Sequence, residues 1–167
     1  TAKKIGAVNC VTISKKKKLK GYNTDYHGFK KSIKPLLKDH HKKALILGTG
    51  GASKAIAYAL RSLKIEYDFV SRTADEFQYK YEELDASIFE EYTVIINTTP
   101  VGTHPNVDDC PNLDYSLFTK KHIAYDLIYN PEETAFLRKA KAQGAVTKNG
   151  YEMLVLQAEK AWKIWNE

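Results

Sequence analysis

The spacing of hydrophobic residues predicts alternating strands and helices from Lys43 onward. Five short apolar runs are typical of buried strands, at residues 44–47, 67–70, 93–97, 123–127 and 145–147. Between them, apolar positions recur at helical spacing over residues 53–63, around 74–84, and over 134–143. Strands that alternate with helices imply a parallel sheet whose right-handed crossovers place helices on both faces. The pattern therefore predicts an α/β fold of the doubly wound, Rossmann-like class.

Two further regions flank this alternating pattern. Before it, residues 7–14 and 19–22 have β-type composition, and the four lysines at 15–18 between them predict a solvated hairpin turn. A helix is expected to start at Thr24 or Asp25, either of which can cap it, and Pro35 is expected to shorten or bend it. After the pattern, residues 151–165 carry apolar side chains on one helical face, which predicts a long C-terminal helix.

A glycine-rich segment follows the first buried strand and precedes a helix. It reads Gly48-Thr49-Gly50-Gly51-Ala52-Ser53. Gly48 permits a tight turn, Gly50 lets the backbone approach a pyrophosphate, and the helix N-terminus offers free N–H groups to phosphates. Ser53 replaces the third glycine of the usual fingerprint but is also small. This strand–turn–helix context favours a dinucleotide site over the alternative, a glycine-rich turn without a ligand.

The end of the second strand indicates which dinucleotide binds. A fold that prefers NAD places an acidic residue there, about 20 residues after the glycines, to bind the ribose 2′-hydroxyl. This chain has Ser71-Arg72-Thr73 instead. Because a guanidinium can pair with a 2′-phosphate and stack on the adenine, NADP is favoured as the cofactor. The alternative is that Arg72 is an ordinary solvated residue, and the nearby Asp75 and Glu76 count slightly against an anionic ligand.

Charge, cysteines and hydropathy restrict the class of protein. The formal net charge of +6 and the pI of about 9.1 suit a phosphorylated cofactor or a carboxylate substrate. The lysine run at 15–18 lacks the interleaved aromatics and arginines of a nucleic-acid surface, so no nucleic-acid partner is expected. No apolar run approaches the roughly 18 residues of a membrane span, and no signal peptide is recognisable. Cys10 and Cys110 are interpreted as free thiols and the histidines lack metal spacing, so a cytoplasmic protein without a metal is expected.

Seven motifs, in order along the chain, resemble those of the shikimate dehydrogenase family. They are Gly6-Ala7-Val8-Asn9; Gly21-Tyr22-Asn23-Thr24-Asp25; the glycine segment; Ser71-Arg72-Thr73; Asn97-Thr98-Thr99-Pro100-Val101-Gly102; Tyr125-Asp126-Leu127-Ile128-Tyr129-Asn130-Pro131 with Glu133-Thr134; and Gly150-Tyr151-Glu152-Met153 with Gln157-Ala158. The resemblance covers nearly the whole chain. It implies an enzyme that reversibly reduces 3-dehydroshikimate to shikimate with NADPH, in aromatic amino-acid biosynthesis. The expected partner is a small-molecule substrate. The resemblance leaves open whether the protein forms a homodimer.

The resemblance also implies roles for individual residues. The ring hydroxyls of shikimate would be bound by Asn9, Asp25 and Gln157, with Tyr129 beside the substrate and Asp25 acting in catalysis. The nicotinamide would contact Gly150 and Met153, and the cofactor channel would be lined by Asn97, Thr98, Val101 and Leu127. Four of these residues have structural alternatives: Asn9 could bridge a strand end, Asp25 could be only a helix N-cap, Gln157 could be solvated, and Met153 could fill the core.

One part of the family pattern has no counterpart in this sequence. Family members carry a substrate-binding domain before the Gly6 motif, with a serine pair for the substrate carboxylate and a lysine that works with the Asp25-type carboxylate. No lysine here matches that motif, and the only methionine is Met153. We therefore expect a fragment that turns over poorly or not at all by itself, because general acid–base help is commonly worth about 10²–10⁴-fold.

The expected fragment divides into three parts. Residues 1–23 would be a remnant of the substrate-binding domain, 24–149 the NADP-binding Rossmann domain, and 150–167 a helix that packs toward the substrate domain. The alternatives are a quinate/shikimate dehydrogenase that uses NAD and a catalytically silent dinucleotide-binding module. A basic nucleic-acid-binding domain is disfavoured because it leaves the glycine segment unexplained.

Overall fold

The computed structural model describes residues 2–167, which form six α-helices and seven strands. The helices are α1 (Ala2–Ile5), α2 (Asp25–Ile33), α3 (Gly51–Ser62), α4 (Ala86–Glu91), α5 (Ala135–Ala142) and α6 (Tyr151–Trp165). The strands are β1 (Cys10–Ile13), β2 (Leu19–Tyr22), β3 (Lys43–Leu47), β4 (Glu66–Val70), β5 (Val94–Asn97), β6 (Ile123–Asp126) and β7 (Val146–Lys148). Short 3-10 helices occur at Lys34–Leu36, Tyr81–Glu83 and Tyr115–Leu117. In the described part of the chain, no helix is both long and apolar enough to cross a membrane.

Five of the strands form one parallel sheet in the order β4-β3-β5-β6-β7. The chain moves from β3 outward to β4, then returns to the other side of β3 and continues through β5, β6 and β7. This reversal confirms the doubly wound fold. It also creates a switch point between β3 and β5, where Leu47 lies opposite Asn97. In open sheets of this kind, ligands bind outside the carboxyl ends of the strands at such a point.

The sheet is buried on both faces. Strands β5 and β6 are buried at every position, which explains why they appear in the sequence as continuous apolar runs. Side chains alternate between two hydrophobic clusters: Ile46, Ile96 and Tyr125 pack against α2, α3 and α6, whereas Leu45 and Ile95 pack on the opposite face. Burial of each large apolar side chain contributes roughly 1.5–3 kcal/mol, so the two clusters fix the positions of the loops at the sheet's edge.

Strands β1 and β2 form a separate antiparallel hairpin, with Cys10 opposite Tyr22 and Ile13 opposite Leu19. The turn predicted for the lysine run is confirmed: Ser14 N donates to Lys18 O at 2.9 Å. On its inner side, the hairpin packs Cys10 and Tyr22 against Ala161 and Ile164 of α6. The hairpin is therefore attached to the rest of the molecule chiefly through the C-terminal helix.

The helix that precedes β3 ends where Pro35 predicts. Helix α2 stops at Ile33, and the chain continues as the 3-10 helix that contains Pro35. Thr24 occupies the N-cap position, so Asp25 is the first helical residue and the N-cap alternative for it is wrong. The Thr24 side chain does not cap α2; instead, Asn23 Oδ1 accepts the Tyr26 N–H at 3.3 Å.

The structure contradicts the sequence prediction between β4 and β5. The helix predicted around residues 74–84 is wrong, because this segment forms turns and the 3-10 helix at Tyr81–Glu83. Asp75 Oδ1 accepts the Phe77 N–H at 2.9 Å, a local bond that competes with helix formation. Tyr79 then extends the sheet edge, because its N–H donates to Phe69 O at 2.9 Å. The segment instead leads to α4, which was not predicted and which starts where Asp85 Oδ1 accepts the Ile88 N–H at 3.0 Å.

Two buried histidines lie at the amino-terminal edge of the sheet, away from the switch point. His41 and His122 are 6% and 3% exposed. Each Nδ1 accepts a backbone N–H and each Nε2 contacts a carbonyl oxygen: Lys38 N and Lys121 O for His41, Thr119 N and Phe89 O for His122. Burial lowers the pKa of both imidazoles below the usual 6.5. Both rings are therefore held in the neutral form.

Candidate functional site

The glycine loop turns at Gly48, directly after β3. Gly48 has a φ of +100°, a conformation that favours glycine, and its N–H donates to Val70 O at 2.9 Å. A Cβ at this position would lie 2.9 Å from Thr99 Cγ2 and 3.0 Å from Thr98 Oγ1. Gly48 is therefore required both by its backbone angle and by the close approach of the loop after β5.

Gly50 and Gly51 begin helix α3 and face open space. Gly50 is the N-cap residue and no side chain caps the helix, so the first N–H groups of α3 are left for another acceptor. A Cβ at either glycine would meet nothing within 4 Å, and Thr49 beside them is exposed. Ser53, the substitute for the third glycine, is 1% exposed and donates to Gly50 O at 2.6 Å. This edge is open to an anion and carries the positive end of a 12-residue helix.

Arg72 lies beside this edge, because it follows β4 and β4 pairs with β3. Its side chain is exposed and takes part in none of the ion pairs found among residues 2–167. Asp75 forms no ion pair with it, and the Asp75 carboxylate instead accepts hydrogen bonds from the Phe77 N–H and, at 3.2 Å, from Gln78 Nε2. Ser71 Oγ accepts the Thr73 N–H at 3.2 Å and shapes the turn. The guanidinium is thus available to a second anionic group.

Three of the predicted channel residues lie at the end of β5 and in the loop that follows it, and they differ in exposure. Thr98 is tied to β3, because its Oγ1 and N donate to Leu47 O at 2.6 and 3.0 Å. Val101 is 36% exposed and can contact a ligand directly. Asn97 is fully buried: its Nδ2 donates to Val101 O and to Asp126 Oδ1, at 3.4 and 3.1 Å. Asn97 therefore supports the loop from below and does not line an open channel.

The two residues predicted to contact the nicotinamide have packing roles. Gly150 precedes α6, and a Cβ there would lie 1.9 Å from Leu127 O. Only glycine allows the start of α6 to approach the chain after β6 so closely. Met153 is 7% exposed and belongs to the core cluster that contains Phe29 and Tyr125, so the core-filling alternative describes its position. Leu127 is half-buried, and its N–H donates to Asn97 O at 3.1 Å.

Three of the four predicted substrate residues come together around Thr24. Asn9 Oδ1 accepts the Thr24 N–H at 2.8 Å, and Asn9 Nδ2 donates to Thr24 Oγ1 at 3.1 Å. Thr24 Oγ1 donates to Gln157 Oε1 at 3.2 Å. Burial raises the pKa of the Asp25 carboxyl, and a hydrogen bond from Asn9 opposes that rise. The hairpin, α2 and α6 thus each contribute to one polar cluster, whereas Tyr129 lies in the loop after β6 with its side chain 49% exposed.

Gly28 determines how closely α6 approaches this polar cluster. A Cβ at Gly28 would lie 2.4 Å from Met153 O and 3.1 Å from Gln157 N. The backbones of α2 and α6 are therefore in direct contact, which brings Gln157 within reach of Thr24. Sequence reasoning missed this role, because a glycine inside a helical pattern does not reveal which distant backbone it faces.

Asp126 is another buried residue at this edge of the sheet to which sequence reasoning gave no role. It is the last residue of β6, is fully buried, and has a pKa raised to about 6 by that burial. Its carboxylate accepts hydrogen bonds from Asn97 Nδ2, Ile128 N and Thr134 Oγ1. The sequence did contain a signal for this role. An acidic residue ends a buried apolar strand, and a threonine that can cap the next helix follows eight residues later.

Three features together define a Rossmann-like domain. They are the reversal of strand order at β3, the glycine loop beside β3 and the uncapped start of α3. No model of a protein family matches the chain. A shikimate dehydrogenase (NADP(+)) of Caldanaerobacter subterraneus subsp. tengcongensis is 41% identical over 98% of this chain and 64% of its own length. The crystal structure of shikimate dehydrogenase from Aquifex aeolicus is similar with a TM-score of 0.86, at 38% identity, over 99% of this chain and 63% of that one.

A third similar structure was solved with ligands. It is the shikimate 5-dehydrogenase of Thermus thermophilus in complex with NADP(H) and shikimate, with a TM-score of 0.82 and 35% identity over 98% of this chain and 64% of that one. The chain belongs to the shikimate dehydrogenase family. It spans 64% of the length of the curated relatives it matches.

Proposed function

We propose that this chain forms the NADP(H)-binding part, and one side of the substrate site, of a shikimate dehydrogenase. The reaction is the reversible reduction of 3-dehydroshikimate to shikimate in aromatic amino-acid biosynthesis. One observation carries the proposal: α6 contacts both candidate regions. Its start packs on Leu127 O at the carboxyl edge of the sheet, and Gln157 reaches the cluster of Asn9 and Thr24. Seven helical residues span roughly 10 Å, a distance suited to a small ring beside a nicotinamide.

The cofactor would lie across the edge formed by the glycine loop and Arg72. Gly48 to Ala52 and the start of α3 would hold the diphosphate, and the Arg72 guanidinium, with Ser71 and Thr73, would hold the 2′-phosphate. The bound cofactor supplies the hydride that is exchanged with the substrate carbon. The unpaired guanidinium supports NADP over NAD, in agreement with the NADP dependence of the similar shikimate dehydrogenases.

The substrate side would be built from amide and carboxyl groups. Asn9, Asp25 and Gln157 offer donors and acceptors at fixed positions, which suits the hydroxyl groups of a polyol ring. Asp25 would hold or pass a proton at the reacting oxygen, and its raised pKa brings it closer to the range in which a carboxyl exchanges protons. Tyr129 would border the substrate from the loop after β6.

We further propose that turnover needs the part of the relatives that this chain does not match. In this division, residues 1–23 belong with a substrate-binding domain, 24–149 bind NADP, and 150–167 pack toward the substrate domain. The 167 residues alone would then bind NADPH and oxidise shikimate poorly or not at all. A cytoplasmic location is proposed as well, which fits the two free cysteines, Cys10 and Cys110.

The cofactor assignment is tested by titrating the chain with NADPH and with NADH, following the nicotinamide fluorescence. Arg72→Ala is expected to weaken NADPH binding by about tenfold or more, the effect of one lost charge-assisted contact, and to weaken NADH binding much less, because NADH has no 2′-phosphate. Arg138→Ala, an exposed arginine on α5, is the matched control and should change neither affinity. Equal losses for both cofactors would contradict the 2′-phosphate assignment.

The catalytic assignment is tested by a shikimate oxidation assay with NADP. The chain is assayed alone and together with the remaining N-terminal part of a relative as a separate polypeptide. Activity that appears only in the mixture supports the proposed division. NADPH binding that neither shikimate nor the added part affects would instead support a catalytically silent dinucleotide-binding module.

A further inference from the structure

The buried carboxylate of Asp126 connects three separate segments at the carboxyl edge of the sheet. Its Oδ1 accepts from Asn97 Nδ2 and from Ile128 N, each at 3.1 Å. Its Oδ2 accepts from Thr134 Oγ1 at 2.7 Å. One side chain therefore joins the end of β5, the loop after β6 and the start of α5.

Further hydrogen bonds extend this network into the loop after β5. Asn97 Oδ1 accepts the N–H and the hydroxyl of Thr99, at 3.0 and 2.6 Å. Thr99 Oγ1 in turn accepts the Val101 N–H at 3.3 Å. On the other side, Thr134 Oγ1 accepts the Leu137 N–H at 3.3 Å and so caps α5. The network reaches from the exposed Val101 to the first turn of α5 without interruption.

A buried carboxylate stabilises a protein core poorly, because its burial has a large desolvation cost. Removing a charged group from water costs several kcal/mol, and a well-packed apolar residue is often as stable. Asp126 and Asn97 are both completely buried, yet no buried polar side-chain atom in residues 2–167 lacks a partner. Such an arrangement specifies geometry, because each hydrogen bond fixes a backbone segment in direction as well as in distance.

We propose that Asp126, Asn97, Thr99 and Thr134 form a positioning network that holds the loops after β5 and β6 in the shape that binds the nicotinamide half of the cofactor. The network acts from beneath these loops through their backbone. The inference rests on the proposed NADPH site. It adds Asp126, Thr99 and Thr134 to the residues on which cofactor affinity depends.

The test compares hydroxyl removal with hydroxyl restoration. Thr99→Val and Thr134→Val keep the branched shape but lose the hydroxyl, whereas Thr99→Ser and Thr134→Ser retain it. For each variant, the dissociation constant for NADPH is measured by fluorescence titration, and the unfolding midpoint is measured in parallel. The valine variants are expected to bind NADPH about tenfold more weakly, and the serine variants within about twofold of the original chain.

Tyr92→Phe is the control for a purely structural loss. Tyr92 is 4% exposed, and its hydroxyl donates to Asp68 Oδ2 at 2.5 Å before β5 begins, away from the loops that the network holds. This variant should unfold at a lower midpoint and bind NADPH normally. If Thr134→Val does not fold, Thr99→Val in the partly exposed loop decides the question.

Two outcomes overturn the inference, and they are distinguishable. Valine variants that lose stability like Tyr92→Phe but bind NADPH like the original chain would show that the network is only structural. If the original chain itself does not bind NADPH, the proposed function fails, and this inference fails with it.

Discussion

Replacing Gly28 by alanine tests the close crossing of α2 and α6. The added Cβ would lie 2.4 Å from Met153 O, and real Cβ contacts are essentially never shorter than 3.0 Å, so one backbone must move by about 0.6 Å. Because the obstacle is a carbonyl inside a 15-residue helix, the overpacking cost should lie near the upper end of the usual range, about 3 kcal/mol. Alanine returns about 1 kcal/mol through its better helix propensity. The expected net loss is about 2 kcal/mol.

The measurement is urea unfolding followed by circular dichroism, compared at an unchanged m value. Gly51→Ala is the matched control, because it also adds one methyl group to a helical glycine, but into open space. It should be neutral or stabilising by up to about 1 kcal/mol. If Gly28→Ala proved as stable as Gly51→Ala, the contact between the two helix backbones would be refuted.

Two further predictions concern Gly150 and the buried histidines. Gly150→Ala places a Cβ 1.9 Å from Leu127 O, so it should destabilise the chain by at least about 3 kcal/mol in the same unfolding assay. A loss smaller than that of Gly28→Ala would contradict the close packing of Gly150 on Leu127. His41 and His122 have folded pKa values below 6.5, so their contribution to stability is complete above that pH and is lost as the pH falls below it. Stability should therefore fall as the pH is lowered from 7 to 5, and the urea midpoints of His122→Gln should fall less steeply over this range than those of the original chain.

Asp126 opposes the histidines over part of this pH range. Its folded pKa of about 6 lies above the ordinary 3.8, so the folded state holds its proton to higher pH than the unfolded state does. The corresponding contribution to stability is present below pH 3.8 and is lost as the pH rises through 6. Asp126, like Asp25, whose pKa is also raised by burial, therefore opposes the loss of stability toward acid that the histidines cause.

The buried sheet was predictable from the sequence because its signals are local. The run at 44–47 is apolar at every position, and a strand buried on both faces needs that composition. The glycine segment was recognisable for the same reason, since its three glycines lie directly between an apolar strand and a helical pattern. The helix predicted at 74–84 failed because Asp75 and Tyr79 form turn and sheet-edge bonds that apolar spacing does not reveal.

The candidate site was predictable only in part, because several of its contacts join distant residues. The bond between Thr24 and Gln157 connects positions 133 residues apart, and the bond between Asn97 and Asp126 spans 29. No periodicity in the chain indicates either pairing. The family resemblance named Asn9 and Gln157. Only the structure shows that Thr24 lies between them and forms hydrogen bonds with both.

Two close backbone contacts, each of which requires a glycine, hold helix α6 in place. They limit how the protein can be redesigned. Gly150 allows the start of α6 to approach Leu127, and Gly28 allows α2 to approach the first turn of α6 at Met153 O. A helix transplanted from another dehydrogenase must reproduce both backbone contacts, or it will tilt. Because α6 contacts both candidate regions, an exchange of this segment that is meant to change the proposed substrate site would also move the chain beside the proposed cofactor site.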